Sequence, residues 1–224
     1  MADDDNIPDP EAIAREKLLR SKEKWAEEGR LLTGRPDADR VNRLPPGQRL
    51  VTNWPVLDLG AQPDVKPEKW RLRIGGQVEA PLVCTLPEFH ALPQQEFVSD
   101  IHCVTAWSRY DNRWKGVSTK TLIDMVRPKA EARHVLFQSY DGYTTNVAFD
   151  VFAAESALLA HEWEGRPLTR EHGGPVRVVI PDWYFWKSPK WVTRIEFSAI
   201  DRPGFWEVRG YHNEGDPWKE ERYS

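Results

Sequence analysis

Cysteine is nearly absent: Cys84 and Cys103 are the only two among 224 residues. Two are too few for a disulfide-stapled scaffold or a zinc site closed by four thiolates, although one bridge between them stays open. Long apolar runs are missing as well, and no stretch approaches the roughly 20 residues of a membrane-spanning helix. The acidic opening, Met1-Ala2-Asp3-Asp4-Asp5, is followed by no apolar core of a secretory signal. These absences lead us to expect a cytoplasmic protein without membrane association, where a disulfide is disfavoured and a free thiolate can serve as a ligand. An excess of positive charge is also lacking. With 31 Lys and Arg against 35 Asp and Glu, nothing in the electrostatics calls for nucleic acid as a partner. No internal repeat, glycine-rich phosphate loop or His-Glu-x-x-His zinc motif is present.

Tryptophan and proline are plentiful, at eleven and eighteen residues. So many aromatics exceed what a central core takes up, and some are expected to line a pocket or interface. The length suits one large domain or two small ones. Asp9-Pro10-Glu11 reads as a helix start, because Asp caps free amides and Pro suits the first turn, and the helix runs to Gly29. Its apolar set, Ile13, Leu18, Leu19 and Trp25, is thin against its charge, which gives a surface arm or a partner-binding helix. From Thr33 to Gly60 the chain is rich in Pro, Arg, Asp and Gly and reads as irregular. We expect residues 1–49 to form a charged N-terminal helix and irregular arm, and residues 50–224 to form one domain.

Within that domain Trp70 to Ile74 alternates apolar and polar and meets Gly75-Gly76, as a half-buried strand entering a turn does. Thr85-Leu86-Pro87-Glu88 is a capping-box pattern that predicts a short helix through Leu92. A strand from Glu96 to Ile101 follows and delivers Cys103 at its far end, before a small-residue turn. Ser118 caps a helix through Val126, stopped by Pro128. Strands are expected at 134–139 and 144–149, a helix capped by Asp150 through Leu159, and strands at 175–180 and 192–199. Strands in clusters with short helices between them predict an α+β mixed sheet, not a doubly wound parallel one.

Four stretches hold polar, aromatic and small residues that core packing does not require. Ala106-Trp107-Ser108-Arg109 follows Cys103, and Asp141-Gly142-Tyr143 is a polar turn after a strand. His172-Gly173-Gly174-Pro175-Val176-Arg177 combines glycines that let backbone approach a ligand with an arginine suited to phosphate. Trp186-Lys187-Ser188-Pro189-Lys190-Trp191 places two bases and a hydroxyl between tryptophans. One soft thiolate with several anion-binding groups is what a large anionic cofactor carrying its own metal needs.

From about Leu50 onward the sequence resembles the molybdenum cofactor domain of the sulfite oxidase family, and within it the bacterial methionine sulfoxide reductase catalytic subunits. The resemblance rests on several motifs in order. It implies a molybdenum-molybdopterin cofactor with Cys103 as the thiolate ligand of the metal. It implies cofactor contacts from Asn53, Trp54 and Asp141, pterin and phosphate contacts from His172 and Arg177, and further phosphate contacts from Lys187, Ser188 and Lys190. Trp206-Glu207-Val208-Arg209-Gly210-Tyr211 resembles the family's Trp then Tyr pattern, which makes Tyr211 the candidate active-site tyrosine. A neutral phenol beside the metal can donate a hydrogen bond and stabilise charge that develops as an oxygen atom moves.

The departures from true sulfite oxidases bear on the substrate. Thr52 stands where they carry an arginine, and Trp107-Ser108 replaces the arginine pair after the cysteine, so a pocket for sulfite has lost positive charge; Arg109 is a nearby candidate to compensate. No haem domain and no dimerisation domain are visible, and a monomer is expected. The function expected is oxygen-atom transfer, in the direction of reducing a small S-oxide or N-oxide, with an unidentified electron-transfer partner. The alternatives are oxidation of sulfite or a related oxyanion, and a non-catalytic interaction domain with buried or bridged cysteines.

Overall fold

The computed structural model describes residues 43–224 together with Glu16, Leu19, Arg20, Ser21, Glu23 and Lys24, and those six are helical. The rest of the helix expected over 9–29, and the arm before Arg43, lie outside the described residues. Two sheets dominate. The first has six strands: β1 (Arg49–Leu50), β4 (Gln95–Cys103), β5 (Trp107–Ser118), β8 (Leu158–Trp163), β9 (Arg166–Pro167) and β10 (Arg177–Val179). The second runs in the order β3 (Leu82–Thr85), β2 (Arg71–Gly76), β11 (Val192–Ser198), β6 (His134–Ser139) and β7 (Thr144–Ala148). It is mixed, because β11 runs parallel to β2 and antiparallel to β6. Three short helices, α1 (Leu86–Ala91), α2 (Thr119–Val126) and α3 (Phe149–Phe152), complete an α+β architecture as expected. Among the described residues no helix is long and apolar enough to cross a membrane.

The local rules hold where the sequence spelled them out. In β2, Leu72 and Ile74 face the core while Arg71 and Arg73 do not, the period-2 alternation of a strand with one buried face. Helix α1 opens on the full capping box: the Glu88 amide donates to Thr85 Oγ1, and the Thr85 amide donates to the Glu88 carboxylate. Helix α2 starts where Ser118 Oγ accepts from the Lys120 amide and stops at left-handed Arg127, ahead of Pro128.

Two expectations are corrected. The helix from Asp150 through Leu159 is only the four-residue α3, and Leu158 and Leu159 open the strand β8. An apolar pair next to Ala and His suits either element, and here the ladder with β5 and β10 decides for strand. Strand β5, twelve residues long, was not expected, since the sequence predicts a small-residue turn after Cys103 and no further element before Ser118. Its inward positions include Tyr110, Asn112 and Trp114, and a buried asparagine in that row breaks the apolar alternation that marks a strand. Gly116 belongs to this pairing too, since a Cβ there would lie 1.9 Å from the Leu159 carbonyl oxygen at the β5–β8 irregularity.

The buried side chains form two clusters. One, with Trp70, Phe89, Phe137, Phe152, Ile195 and Phe197 at its heart, packs the five-stranded sheet on the helices. The other gathers Trp54, Trp107, Trp114, Trp186, Trp206 and Tyr211 around Cys103. Each such ring takes on the order of 200 Å² from water, so this second cluster is where much of the tryptophan surplus goes. Cys84 lies in the first cluster, Cys103 in the second, and neither is in a disulfide, which removes the bridged-cysteine alternative.

Candidate active site

Cys103 ends β4 and faces Trp107, the first residue of β5, across a three-residue turn in which Ala106 takes the left-handed conformation at φ 65°. Its carbonyl accepts from the Ala106 amide at 3.1 Å and from Gln48 Nε2 at 3.0 Å. Ser108 Oγ donates to Gln48 Oε1 at 3.2 Å and meets His102 Nδ1 at 2.8 Å, so a buried polar chain fixes the turn. The Cys103 sulfur lies 3.1 Å from Thr105 Oγ1 and lines a cleft.

The opposite wall comes from the segment between β9 and β10. Gly173 adopts φ +102°, and a Cβ there would sit 2.9 Å from the Lys190 Cβ, so only glycine lets the two segments meet. His172 stacks flat on Trp54, ring centroids 3.8 Å apart and planes at 4°. Arg177 donates to the carbonyls of His172 at 3.0 Å, Val178 at 3.3 Å and Ser188 at 2.7 Å, and its guanidinium lies over the Phe185 ring. It is 3% exposed, and no carboxylate among the described residues forms an ion pair with it. Burial pulls its pKa down to about 9, which leaves it charged at neutral pH. Lys190 donates to the Glu171 carbonyl at 2.8 Å. Burial first, then the charges of Arg177 and Lys190, pushes His172 down to about 3, so the imidazole is neutral.

Tyr211 stacks on Trp206 at 4.7 Å and meets the edges of Trp186 and Tyr223, each at 5.1 Å. Burial, then Tyr223, then the nearby Cys103 holds its phenol protonated well above the ordinary tyrosine range.

The cleft thus gathers eight of the ten side chains expected from sequence: Trp54, Cys103, Asp141, His172, Arg177, Ser188, Lys190 and Tyr211 all line it. Asp141 shapes its turn by accepting from the Tyr143 amide at 3.0 Å, and the Ser188 hydroxyl braces the Ile180 amide at 2.9 Å. Asn53 is exposed and does not line the cleft. Lys187 is corrected outright. Its ammonium is fully buried 2.6 Å from Glu207 and donates to Asn146, so a lysine expected to meet phosphate forms an internal ion pair. Arg109 does not compensate for the missing arginines either: Asn112, Glu164 and the Trp163 ring hold it, away from the cleft lining.

The acid that holds Lys187 went unread in the sequence. Glu207 also accepts from Thr145 at 2.9 Å and from the Trp186 indole at 3.0 Å, so one carboxylate ties the aromatic wall to the second sheet. An acid inside the run Phe205-Trp206-Glu207-Val208 was its only signal. Lys187→Met, which strands that carboxylate in the interior, is expected to cost about 3–5 kcal/mol of stability. A denaturant midpoint equal to wild type would contradict the ion pair's weight.

Two orphaned groups test whether a cofactor fits. The buried Trp107 indole N–H has no hydrogen-bond partner among the described residues, and the Arg177 charge has no counter-ion there. Among the same residues no three His, Cys, Asp or Glu side chains gather to hold an ion, so a metal beside Cys103 must bring most of its own ligands. A lone soft thiolate, an unpaired donor and a buried cation suit an anionic pterin that carries molybdenum on its own sulfurs.

Comparison with known proteins agrees. Residues 59–206 match the model of the oxidoreductase molybdopterin binding domain. The chain is 44% identical to the uncharacterized oxidoreductase YuiH of Bacillus subtilis over 84% of its own length and 95% of that protein. It is 28% identical to the protein-methionine-sulfoxide reductase catalytic subunit MsrP of Campylobacter jejuni over 62% of this chain and 52% of that one. It thus spans about half the length of that reductase. Among solved structures, the sulfane dehydrogenase SoxCD from Paracoccus pantotrophus shares the fold with a TM-score of 0.58, at 20% identity over 63% of this chain and 41% of that chain. A domain model matched across most of the described residues, and a cleft whose unpaired groups ask for such a cofactor, place this chain among the molybdopterin-binding oxidoreductases of the sulfite oxidase family.

Proposed function

We propose that this oxidoreductase reduces a small neutral S-oxide or N-oxide, with Cys103 as the metal ligand and Tyr211 as hydrogen-bond donor to the substrate oxygen. The observation that carries the reading is where the positive charge lies. The lining cations, Arg177 and Lys190, act on His172, whereas the groups that act on Tyr211 are Tyr223, Cys103 and Glu23. The segment after the cysteine contributes Val104, Thr105 and Trp107 to the lining. Arg222 approaches from outside that lining, donating to the Val104 carbonyl and lying over the Tyr184 ring. A doubly charged sulfite would meet little compensation in such surroundings, while an uncharged S-oxide needs one donor and an apolar wall.

In this reading Arg177 and Lys190 bind the cofactor phosphate, and Trp54 with the neutral His172 presents a flat surface to the pterin. Asp141 contributes an acceptor from its turn. When bound, the cofactor supplies two electrons and the site that accepts the oxygen atom. The S–O bond breaks, sulfur is reduced by two electrons from an external donor, and two protons leave with the oxygen as water. The Tyr211 phenol, neutral at working pH, is the donor that stabilises the growing charge on that oxygen. The names of the methionine sulfoxide reductase relatives support the direction. The electron donor is a separate partner, and the protein works as a monomer.

Turnover of methionine sulfoxide, dimethyl sulfoxide and trimethylamine N-oxide with reduced viologen, set beside ferricyanide-linked sulfite oxidation, tests the proposal. S-oxide or N-oxide reduction should dominate. Robust sulfite oxidation without it would overturn the reading.

A further inference from the structure

We infer that Tyr223, the penultimate residue of the sequence, is the positioning residue that fixes Tyr211 in the cleft and ties it to the helical residues around Glu23. The inference rests on the role proposed for Tyr211. Tyr211 and Tyr223 face each other in an isolated antiparallel bridge, with rings 5.1 Å apart at 78°. The bridge is reinforced on both sides, since the His212 amide donates to the Arg222 carbonyl at 3.1 Å and the Ser224 amide to the Gly210 carbonyl at 3.0 Å. Trp206 covers one face of the Tyr211 ring and Trp186 meets its edge, so Tyr223 closes the aromatic box from a further side.

What distinguishes Tyr223 from the two indoles is its hydroxyl. It donates to the backbone carbonyl of Glu23 at 2.8 Å, two hundred residues away in sequence. Leu19, one helical turn before Glu23, packs against the same apolar cluster that holds Cys103 and Tyr211. That hydrogen bond fixes the Tyr223 ring, which meets the Tyr211 ring edge-on. Glu23 thereby sets the position of the Tyr223 ring, and the Tyr223 ring sets the position of the Tyr211 ring. Tyr223 does not line the cleft and acts through Tyr211 alone.

Removing only the hydroxyl tests this. With whichever substrate the wild type turns over, Tyr223→Phe should lower kcat about tenfold, the weight of one hydrogen bond, and leave KM within about twofold. Molybdenum content should match wild type, and amides at residues 19–24 should exchange faster, because the Glu23 carbonyl has lost its donor. Tyr211→Phe should be slower still, and the double variant no slower than Tyr211→Phe, since two residues acting as one unit do not add. A slow Tyr211→Phe beside a Tyr223→Phe with wild-type kcat, or two losses that multiply, would overturn the inference and leave the role of Tyr211 standing. A fully active Tyr211→Phe would overturn that role and this inference together.

Discussion

Cys103→Ser should lose about a thousandfold or more in turnover while keeping its fold, because a hydroxyl is a hard, weakly acidic donor where the metal needs a soft thiolate. The swap nearly preserves volume in a site only 6% exposed, the turn is held through the Cys103 carbonyl, and a serine hydroxyl can keep the contact the sulfur makes with Thr105 Oγ1. Stability should therefore change by no more than about 1–2 kcal/mol. The other cysteine supplies an internal control. Cys84, on strand β3 of the five-stranded sheet, is buried in the core, and burial, with Glu88 adding to it, pushes its thiol up to about 11. It offers no thiolate at neutral pH, so Cys84→Ser should leave turnover intact. Enzyme assay, metal analysis and a denaturation curve on the two variants read the contrast. A Cys103→Ser protein that turns over normally would end the assignment of the metal ligand.

Much of the site was legible because its chemistry depends on residue types that stand out when they cluster. His172, Arg177 and Lys190 occur within nineteen positions and fold into one wall, as the Gly173 approach to Lys190 requires. Motif order does not reveal which base of a pair turns inward. Lys187 and Lys190 look equivalent in Trp186-Lys187-Ser188-Pro189-Lys190-Trp191, yet the short turn at Phe185–Lys187 sends one into the protein, toward Glu207 and Asn146. The partner that decides this lies twenty residues on, and only the fold brings it back. The same reason hid strand β5, whose inward Asn112 is satisfied by Ser99, Arg109 and Trp163 from other parts of the sheet. A polar residue on a buried face reads as a break in the pattern until its partners are known. Tyr223 is the extreme case, since its contacts join the two ends of the sequence.

Arg177→Met is the second substitution with a large expected effect, and it separates two costs that the wild type combines. In the protein without cofactor the buried guanidinium has three carbonyls and the Phe185 and Trp54 rings, but no carboxylate, as partners among the described residues, and a charge so placed is destabilising until an anion arrives. Methionine fills much of the same space and removes that charge, but leaves the carbonyls of His172 and Ser188 without their donor. These terms oppose each other, so the stripped variant should lie within about 2 kcal/mol of stripped wild type. Loaded protein should differ far more. A phosphate that loses a charge-assisted donor forfeits about 1.5–3 kcal/mol, a factor of about 10–100 in retention, and the point charge of Lys190, held at the Glu171 carbonyl, does not replace a guanidinium. The gain in Tm on loading should shrink accordingly, because a ligand stabilises only the state that binds it. Thermal unfolding of loaded and stripped forms, with pterin released and quantified, measures both. A variant that keeps its full complement of cofactor and the full Tm gain would show that the buried cation serves the fold and not the phosphate.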